Sequence, residues 1–434
     1  MTSKKRWFDR LEPDAKCHFY GGKPFKMLEN RVSRMSLMVQ MRRIGAGMVV
    51  LALTLLVSVD AMATPKIVVD VGSGRVIEHE QAFQRWYPAS LTKLMTAYVV
   101  FSALKSGQMN LETPIAMSVR ANKEPPSKMY FKPGQRFPLD SALKYLMIKS
   151  ANDVAMAIAE AVSGSEEAFV AEMNATALRL GMISTRFVNP NGLPGSGQYT
   201  TVRDMAVLAV AIRREFPQFA RYFSYEGFAM GKSTYTNYNL LIGRFPGADG
   251  MKTGFICASG FNQVSSATRA GKTVISVVFG APSQEARAEE SARLLNKALT
   301  ATGASGITLS SLTPYGEGRD VVADISGDIC TKAAREARYE GRDVEGKMVL
   351  NSPYILPMTR EPRLVQAPAD LPSVSTEIAL SRIPIPLPRP TGMLPGQVEP
   401  FAASAFTAPA KTAPAATAMP LRSSIPIPIP RPEI

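Results

Sequence analysis

Trp86-Tyr87-Pro88-Ala89-Ser90-Leu91-Thr92-Lys93-Leu94-Met95-Thr96-Ala97-Tyr98-Val99-Val100-Phe101 is the stretch from which the rest of the chain can be read. The residue ahead of Pro88 is pushed into an extended conformation, so a helix cannot run through Trp86-Tyr87. The segment Leu91 to Leu104 that follows is apolar on nearly every face, which predicts a buried helix. Ser90 then falls at its first turn, where free backbone N–H groups and the positive end of the helix dipole favour an alkoxide or a bound anion. Lys93 lies three residues further on and shares its face. A lysine in apolar surroundings gives up its charge readily, although a free one titrates at about 10.4. Ser90 and Lys93 thus read as a nucleophile with an amine base one turn away.

Ser-x-x-Lys is a common word, and it recurs at Ser102 to Lys105 and at Ser141 to Lys144. Ser102 falls mid-helix and has lost any helix-start advantage. Ser141 follows Asp140, a good N-cap, but its helix has Ala142, Leu143, Leu146 and Met147 on one side and Lys144 and Lys149 on the other, so Lys144 is expected to point to water. Ser150-Ala151-Asn152 occupies a tight junction between expected helices at Ser141 to Ile148 and Val154 to Ser163; alone, it reads as a local cap. Lys252-Thr253-Gly254 follows the turn cluster Gly247-Ala248-Asp249-Gly250 and opens a run of strand formers from Phe255 to Ala267, with Thr273 to Gly280 as the next strand. Glycine there lets another backbone lie against the strand, and the lysine and threonine offer a charge and a hydroxyl to a carboxylate. In order, the three words supply a nucleophile and its base, a second hydroxyl with an amide, and a cationic strand edge. That is the equipment of Ser/Lys acyl transfer. A Ser-His-Asp triad has almost no material, because His18 lies in a leader and His79 in an expected strand. No cluster of metal-ligating residues occurs, so neither a metal nor another cofactor is expected.

Around these words lie two strands (Lys66 to Val71 and Arg75 to Glu80), an inserted helical block from Leu91 to about Phe223, further strands, and a closing helix near Ser283 to Leu299. Strands flanking a helical insertion argue for a mixed α+β domain, α/β in the broad sense, with a largely antiparallel sheet over residues 64–300. Residues 301–350 read as an extension in which Val321 to Ile325 adds a strand and Ala333 to Arg342 a short charged helix. Residues 351–434 hold 18 of the 33 prolines and no apolar helical period, so a disordered, dispensable tail is expected from 351 onward. Within it Ile383-Pro384-Ile385-Pro386-Leu387-Pro388-Arg389-Pro390 returns as Ile425-Pro426-Ile427-Pro428-Ile429-Pro430-Arg431-Pro432. Such a repeat suits polyproline II, as a spacer, a ligand for a protein or membrane surface, or an inert arm.

Residues 1–63 read as a leader. Arg42-Arg43, the uncharged Ile44 to Val59 and Ala61-Met62-Ala63 are a basic region, an apolar region and a small-x-small cleavage site of a signal peptide, with residues 1–34 a misassigned start and a retained anchor as the alternative. The expected location is the periplasm, with inner-membrane association as a variant. Removing 1–63 lowers the formal charge from +14 to +8. No basic helix or aromatic-basic sheet motif accompanies that charge, so an anionic wall polymer or lipid surface, not nucleic acid, is the compatible partner. Cys257 and Cys330 remain, and in an oxidising compartment they point to one disulfide, the alternative being two buried thiols.

Tyr87-Pro88-Ala89-Ser90-Leu91-Thr92-Lys93-Leu94-Met95-Thr96, Lys149-Ser150-Ala151-Asn152-Asp153, Asn189-Pro190-Asn191-Gly192-Leu193, Tyr199 to Ala206 and Asp249-Gly250-Met251-Lys252-Thr253-Gly254 together resemble the penicillin-recognising serine D-alanyl-D-alanine carboxypeptidases, the low-molecular-mass penicillin-binding proteins. The likeness runs from about Lys66 to about Leu299. It implies a β-lactamase/transpeptidase-like fold, peptidoglycan stem peptides as substrates and β-lactams as acylating inhibitors. It further implies that Ser90 attacks the carbonyl between two D-alanines while Lys93 takes its proton, and that Ser150 and Lys252 pass a proton to the leaving amine. Asn152 would hold the substrate amide, Thr253 and Lys252 beside Gly254 the terminal carboxylate, and the N–H groups of Ser90 and Phe255 the oxyanion. Arg287 looks like a further carboxylate partner but is expected to be an exposed helix arginine. A serine β-lactamase is the nearest rival; no Glu-x-x-Leu-Asn between Asn152 and Lys252 supplies its deacylating base, and Glu172-Met173-Asn174 is too short. A D,D-endopeptidase would use the same residues, and a non-catalytic wall-binding scaffold would lack one of them.

Overall fold

The computed structural model describes residues 64–303, 306–340 and 349–371. The leader and both Ile-Pro-x-Pro blocks lie outside the described residues. In chain order the elements are β1 (Lys66–Asp70), β2 (Val76–Glu80), a 3-10 turn (Ala89–Thr92), α1 (Lys93–Lys105), β3 (Pro114–Ala116), α2 (Val119–Asn122), β4 (Arg136–Pro138), α3 (Leu139–Lys144) running into a π turn (Tyr145–Lys149), α4 (Asn152–Ser163), α5 (Glu166–Arg179), α6 (Val202–Glu215) and α7 (Arg221–Ser224). Then come β5 (Gly227–Met230), β6 (Ser233–Thr236), β7 (Ala248–Ile256), β8 (Gly260–Arg269), β9 (Lys272–Ala281), α8 (Gln284–Thr300), α9 (Ser326–Ile329), α10 (Lys332–Glu340) and β10 (Leu364–Gln366).

A five-stranded sheet in the order β2-β1-β9-β8-β7, antiparallel throughout, organises the domain. Both faces are covered. Ile67 and Val69 face the large core shared with the inserted helices, whereas Val68 faces a second cluster beneath α8 with Ala288, Ala292 and Leu295. Successive side chains of a strand point to opposite faces, so a strand covered twice reads as an unbroken apolar run, as in Ile67-Val68-Val69. The helical insertion arrives between β2 and β7, and α1 runs through its middle with ten of its residues buried. The mixed α+β, antiparallel reading is the observed class. No helix among the described residues is long and apolar enough to cross a membrane.

The C-terminal boundaries differ from those that composition suggests, for the compact unit reaches Pro372. Val321 to Ile325 is not a strand: a single bridge pairs Ala323 with Trp86. Residues 351–371 are not free of the domain either. Leu356 N donates to Arg244 O, Arg360 pairs with Glu226, and β10 joins β5 in parallel. Tyr145 donates its hydroxyl to the carbonyls of Ala367 and Pro368 at 2.9 Å, and Ala367 is fully buried. Lys144, expected in water, is 8% exposed and donates to Gln366 O at 2.7 Å. The strap covers what would otherwise be the polar face of α3. A chain cut after residue 348 should therefore unfold more easily than one cut after 372, by roughly 3 kcal/mol for the lost apolar burial and the orphaned Tyr145 and Lys144 groups. Comparing the two in urea melts checks this, and equal midpoints would return the boundary to 351.

Cys257, one residue beyond β7, is bonded to Cys330, 73 residues on. The bond and the Ile325 N to Ala258 O hydrogen bond fix α9 beside the end of β7. Under the chain-entropy model, closing that loop stabilises by about 4 kcal/mol. Cys330→Ser should lose most of this, and a reductant should lower the melting temperature of the parent protein but not of the variant.

Candidate active site

The site is built where the 3-10 turn at the head of α1 meets the edge strand β7. Two glycines permit the approach. A Cβ on Gly254 would lie 3.0 Å from Ser90 N, and one on Gly192 would lie 1.9 Å from Ala89 O and 2.8 Å from Thr92 Oγ1, while Gly192 also adopts φ +83°. Ala89 itself is held at φ +47°, an unfavourable region for an L-residue that persists only where the surroundings fix it. Ser90 is left half-buried on the wall of a cleft of about 340 Å³ that also meets Ser127, Ser150, Asn152, Thr253 and Arg287.

Lys93 is fully buried. Its Nζ donates to Asn191 O at 2.6 Å and to Asn152 Oδ1 at 2.7 Å, and lies 3.0 Å from Ser90 Oγ. Both carbonyl oxygens can only accept, so they take two N–H bonds. In the neutral amine those are the only two, and the lone pair is left facing the Ser90 hydroxyl. Burial, reinforced by the Lys252 charge, pulls the Lys93 amine well below the ordinary lysine range, while Glu124 and Asp153 act in the opposite direction. The pair can therefore remove a proton from Ser90 without histidine. His79 bonds to the Tyr315 hydroxyl instead, at 2.7 Å.

Ser150 ends the π turn in a left-handed conformation, φ +60°, that projects its side chain toward the cleft. Its Oγ is buried with no hydrogen-bond partner among the described residues. Asn152 opens α4, and besides meeting Lys93 it donates Nδ2–H to Pro125 O at 2.9 Å. Asp153 accepts from the N–H groups of Met129, Tyr130 and Val154 at 2.9–3.1 Å. Together Asn152 and Asp153 pin the 125–130 loop that roofs the cleft.

On the opposite wall, Lys252 is buried and donates to Thr253 O at 2.9 Å; burial, with Arg287 nearby, lowers its amine to about 7. Arg287 is 3% exposed, donates toward Gly254 O and Tyr238 O, and is lowered by burial to about 9, so it remains a cation at neutral pH. The exposed reading of Arg287 is thus corrected: α8 packs along the sheet, and from its first turn this side chain reaches inward, over the Phe261 ring at 5.6 Å and toward the Gly254 carbonyl. Thr253 is buried and Phe255 exposed, both on the edge strand of the sheet. Ser90, Lys93, Ser150, Asn152, Lys252, Thr253 and Gly254 converge, whereas Ser102 bonds back to Tyr98 O within α1 and Ser141 is sealed in the core. Sequence reasoning passed over Glu124 and the roof loop, and gave Asn191 and Asp153 no role of their own. The Pro125-Pro126 and Asn191-Gly192 turns were the available signals.

A family model described as D-alanyl-D-alanine carboxypeptidase (Peptidase_S11) matches residues 54–283, more than half of the chain. The chain belongs to that family. D-alanyl-D-alanine carboxypeptidase DacC of Escherichia coli is 38% identical over 245 residues, 55% of this chain and 61% of that protein, so the present chain spans about three fifths of its curated relative. The crystal structure of DacD from Francisella tularensis superposes with a TM-score of 0.54 at 32% identity, covering 56% of this chain and 71% of that one. Penicillin-Binding Protein D2 of Listeria monocytogenes, solved in a cefotaxime-bound form, gives 0.51 at 28% identity over 55% of this chain and 97% of that one. Over the residues that these likenesses cover, the fold is the one described above.

The Gly192 contact gives a direct check on how tightly the turn is held. Gly192→Ala should cost roughly 3 kcal/mol of stability, from the left-handed backbone and the overpacked Ala89 carbonyl. Thermal melts of the variant beside the parent protein read the cost.

Proposed function

We propose that this chain is a serine D-alanyl-D-alanine carboxypeptidase that trims the terminal D-alanine from peptidoglycan stem pentapeptides through an acyl-enzyme on Ser90, and that β-lactams acylate the same serine. The observation that carries this reading is the amine of Lys93, held by two carbonyl oxygens with its third direction on Ser90 Oγ. Lys93 takes the hydroxyl proton as Ser90 Oγ bonds to the carbonyl carbon between the two D-alanines. The resulting oxyanion is received by the N–H groups of Ser90 and Phe255. Ser150, whose hydroxyl has no competing partner among the described residues, passes a proton to the leaving amine with Lys252 behind it. Expulsion of D-alanine leaves the ester, and water attacking that ester returns Ser90.

Asn152 holds the substrate amide, and the terminal carboxylate meets Thr253 and Lys252, with the buried Arg287 adding charge from α8. A peptide laid along β7 gains main-chain hydrogen bonds from an edge strand that, among the described residues, has no neighbour on that side of the sheet. The leader read at Arg42 to Ala63 supports export to the periplasm, where this substrate lies.

Incubating the mature chain with a muropeptide pentapeptide should release free D-alanine; cleavage only of cross-linked dimers would assign it to endopeptidases, and rapid turnover of penicillin to β-lactamases. Ser90→Ala should abolish both release and labelling by a fluorescent penicillin, and Lys93→Ala should slow acylation at neutral pH by about 10²–10⁴-fold. Label that persists in Ser90→Ala, or moves to Ser141, would overturn the assignment.

A further inference from the structure

Glu124 stands behind the cleft wall and takes no part in the steps above. It is 5% exposed, and its carboxylate accepts Asn191 Nδ2–H at 2.8 Å and a guanidinium N–H of Arg120 one helical turn earlier. The backbone carbonyl of the same Asn191 accepts from Lys93 Nζ. Arg120 continues the chain outward: it bonds Glu166 of α5 at 2.8 Å, and its side chain is 52% exposed. One asparagine therefore separates the buried amine from a carboxylate whose own counter-ion lies at the surface.

We infer that Glu124 and Arg120 are positioning residues that set, through Asn191, the pH at which Lys93 becomes a base. This deepens the proposed function and rests on its reading of Lys93. The charges facing Lys93 are Lys252 from β7, Asp153 from α4 and Glu124 from the link between α2 and the roof loop. Those facing Glu124 are Lys93 within and Arg120 from α2 without, with Glu166 drawing on the outer side of Arg120. Asp153 is committed to three backbone N–H groups, so its carboxylate is fixed in position. Glu124, by contrast, divides its field between an inner amine and an outer guanidinium. An anion near Lys93 favours the ammonium form and raises the pH needed to free its lone pair; a cation bound to that anion weakens the effect. The chain also orients Asn191, whose side chain is held by Glu124 and by Leu193 N.

The signs separate this from a purely structural role. Glu124→Gln keeps an oxygen for Asn191 but removes the charge, so the acid limb of the acylation profile should move to lower pH, by at least about half a unit. Arg120→Gln leaves the anion uncompensated on its outer side, so the limb should move to higher pH. In the double variant Arg120 has nothing left to act through, and the midpoint should fall back to that of Glu124→Gln. The measurement is the second-order rate of labelling by a fluorescent penicillin from pH 5 to 10, with circular dichroism for fold. Single variants that leave the midpoint unmoved, or move it the same way, overturn the inference while the reading of Lys93 stands. A parent protein that is never acylated overturns that reading instead. If Glu124→Gln fails to fold, the exposed Arg120→Gln decides alone by its upward shift.

Discussion

An amine buried against three neutral oxygens is the condition on which the rest of this site depends. Desolvation penalises the ammonium form of Lys93, and no carboxylate touches its Nζ to offset that. The fold has to keep the amine dry and its neighbours fixed, and each nearby element contributes. The buried all-round character of α1 excludes water from beneath. Thr96, one turn further along α1, donates to Pro190 O at 2.6 Å and so ties the Asn191 loop to the helix that carries the base. Within that loop, Asn189 accepts from Gly192 N and donates to Leu193 O, so the carbonyl offered to Lys93 stays aimed without help from solvent.

A second buried amine faces the first. Lys252 is held near neutrality by burial and by Arg287, and its charge in turn disfavours the ammonium of Lys93. The cleft therefore gathers Lys252 and Arg287 on one wall and, on the other, an amine whose ammonium form is disfavoured. Because Lys252 and Arg287 come from β7 and α8 while Lys93 comes from α1, the division follows from the way sheet and helical insertion meet.

Much of this was legible in the sequence, and the rest failed for identifiable reasons. The Pro88 stop and the apolar run after Ser90 placed Ser90 and Lys93 at the head of a buried helix because both signals are local. Ile67-Val68-Val69 and Thr273 to Gly280 announced central strands for the same reason. Lys144 was misread because its amphipathic pattern is genuine, but the water on its polar side is displaced by Gln366, 222 residues later. Arg287 was misread because a single arginine on an amphipathic helix looks the same whether the helix end is open or pressed against a strand. The boundary at 351 followed from counting prolines, which measures composition; Leu364-Val365-Gln366 contains none and pairs normally with β5. Glu124 was passed over because the Pro125-Pro126 signal beside it marks a turn without showing that the turn is folded over a cleft and its carboxylate buried.

The strand order has a consequence in time. β1 sits between β2 and β9, and Lys66 pairs with Val278. At ribosomal speeds of about 5–20 residues per second, the partner of β1 appears roughly 10–40 s after β1 itself, and the long loop it closes slows the pairing further. Until then Ile67-Val68-Val69 has only β2 beside it, and the sheet on which α8 and β7 depend does not exist. A nascent chain built in this order completes its central sheet late in synthesis, and acquires its Ser/Lys geometry only after β9 has emerged.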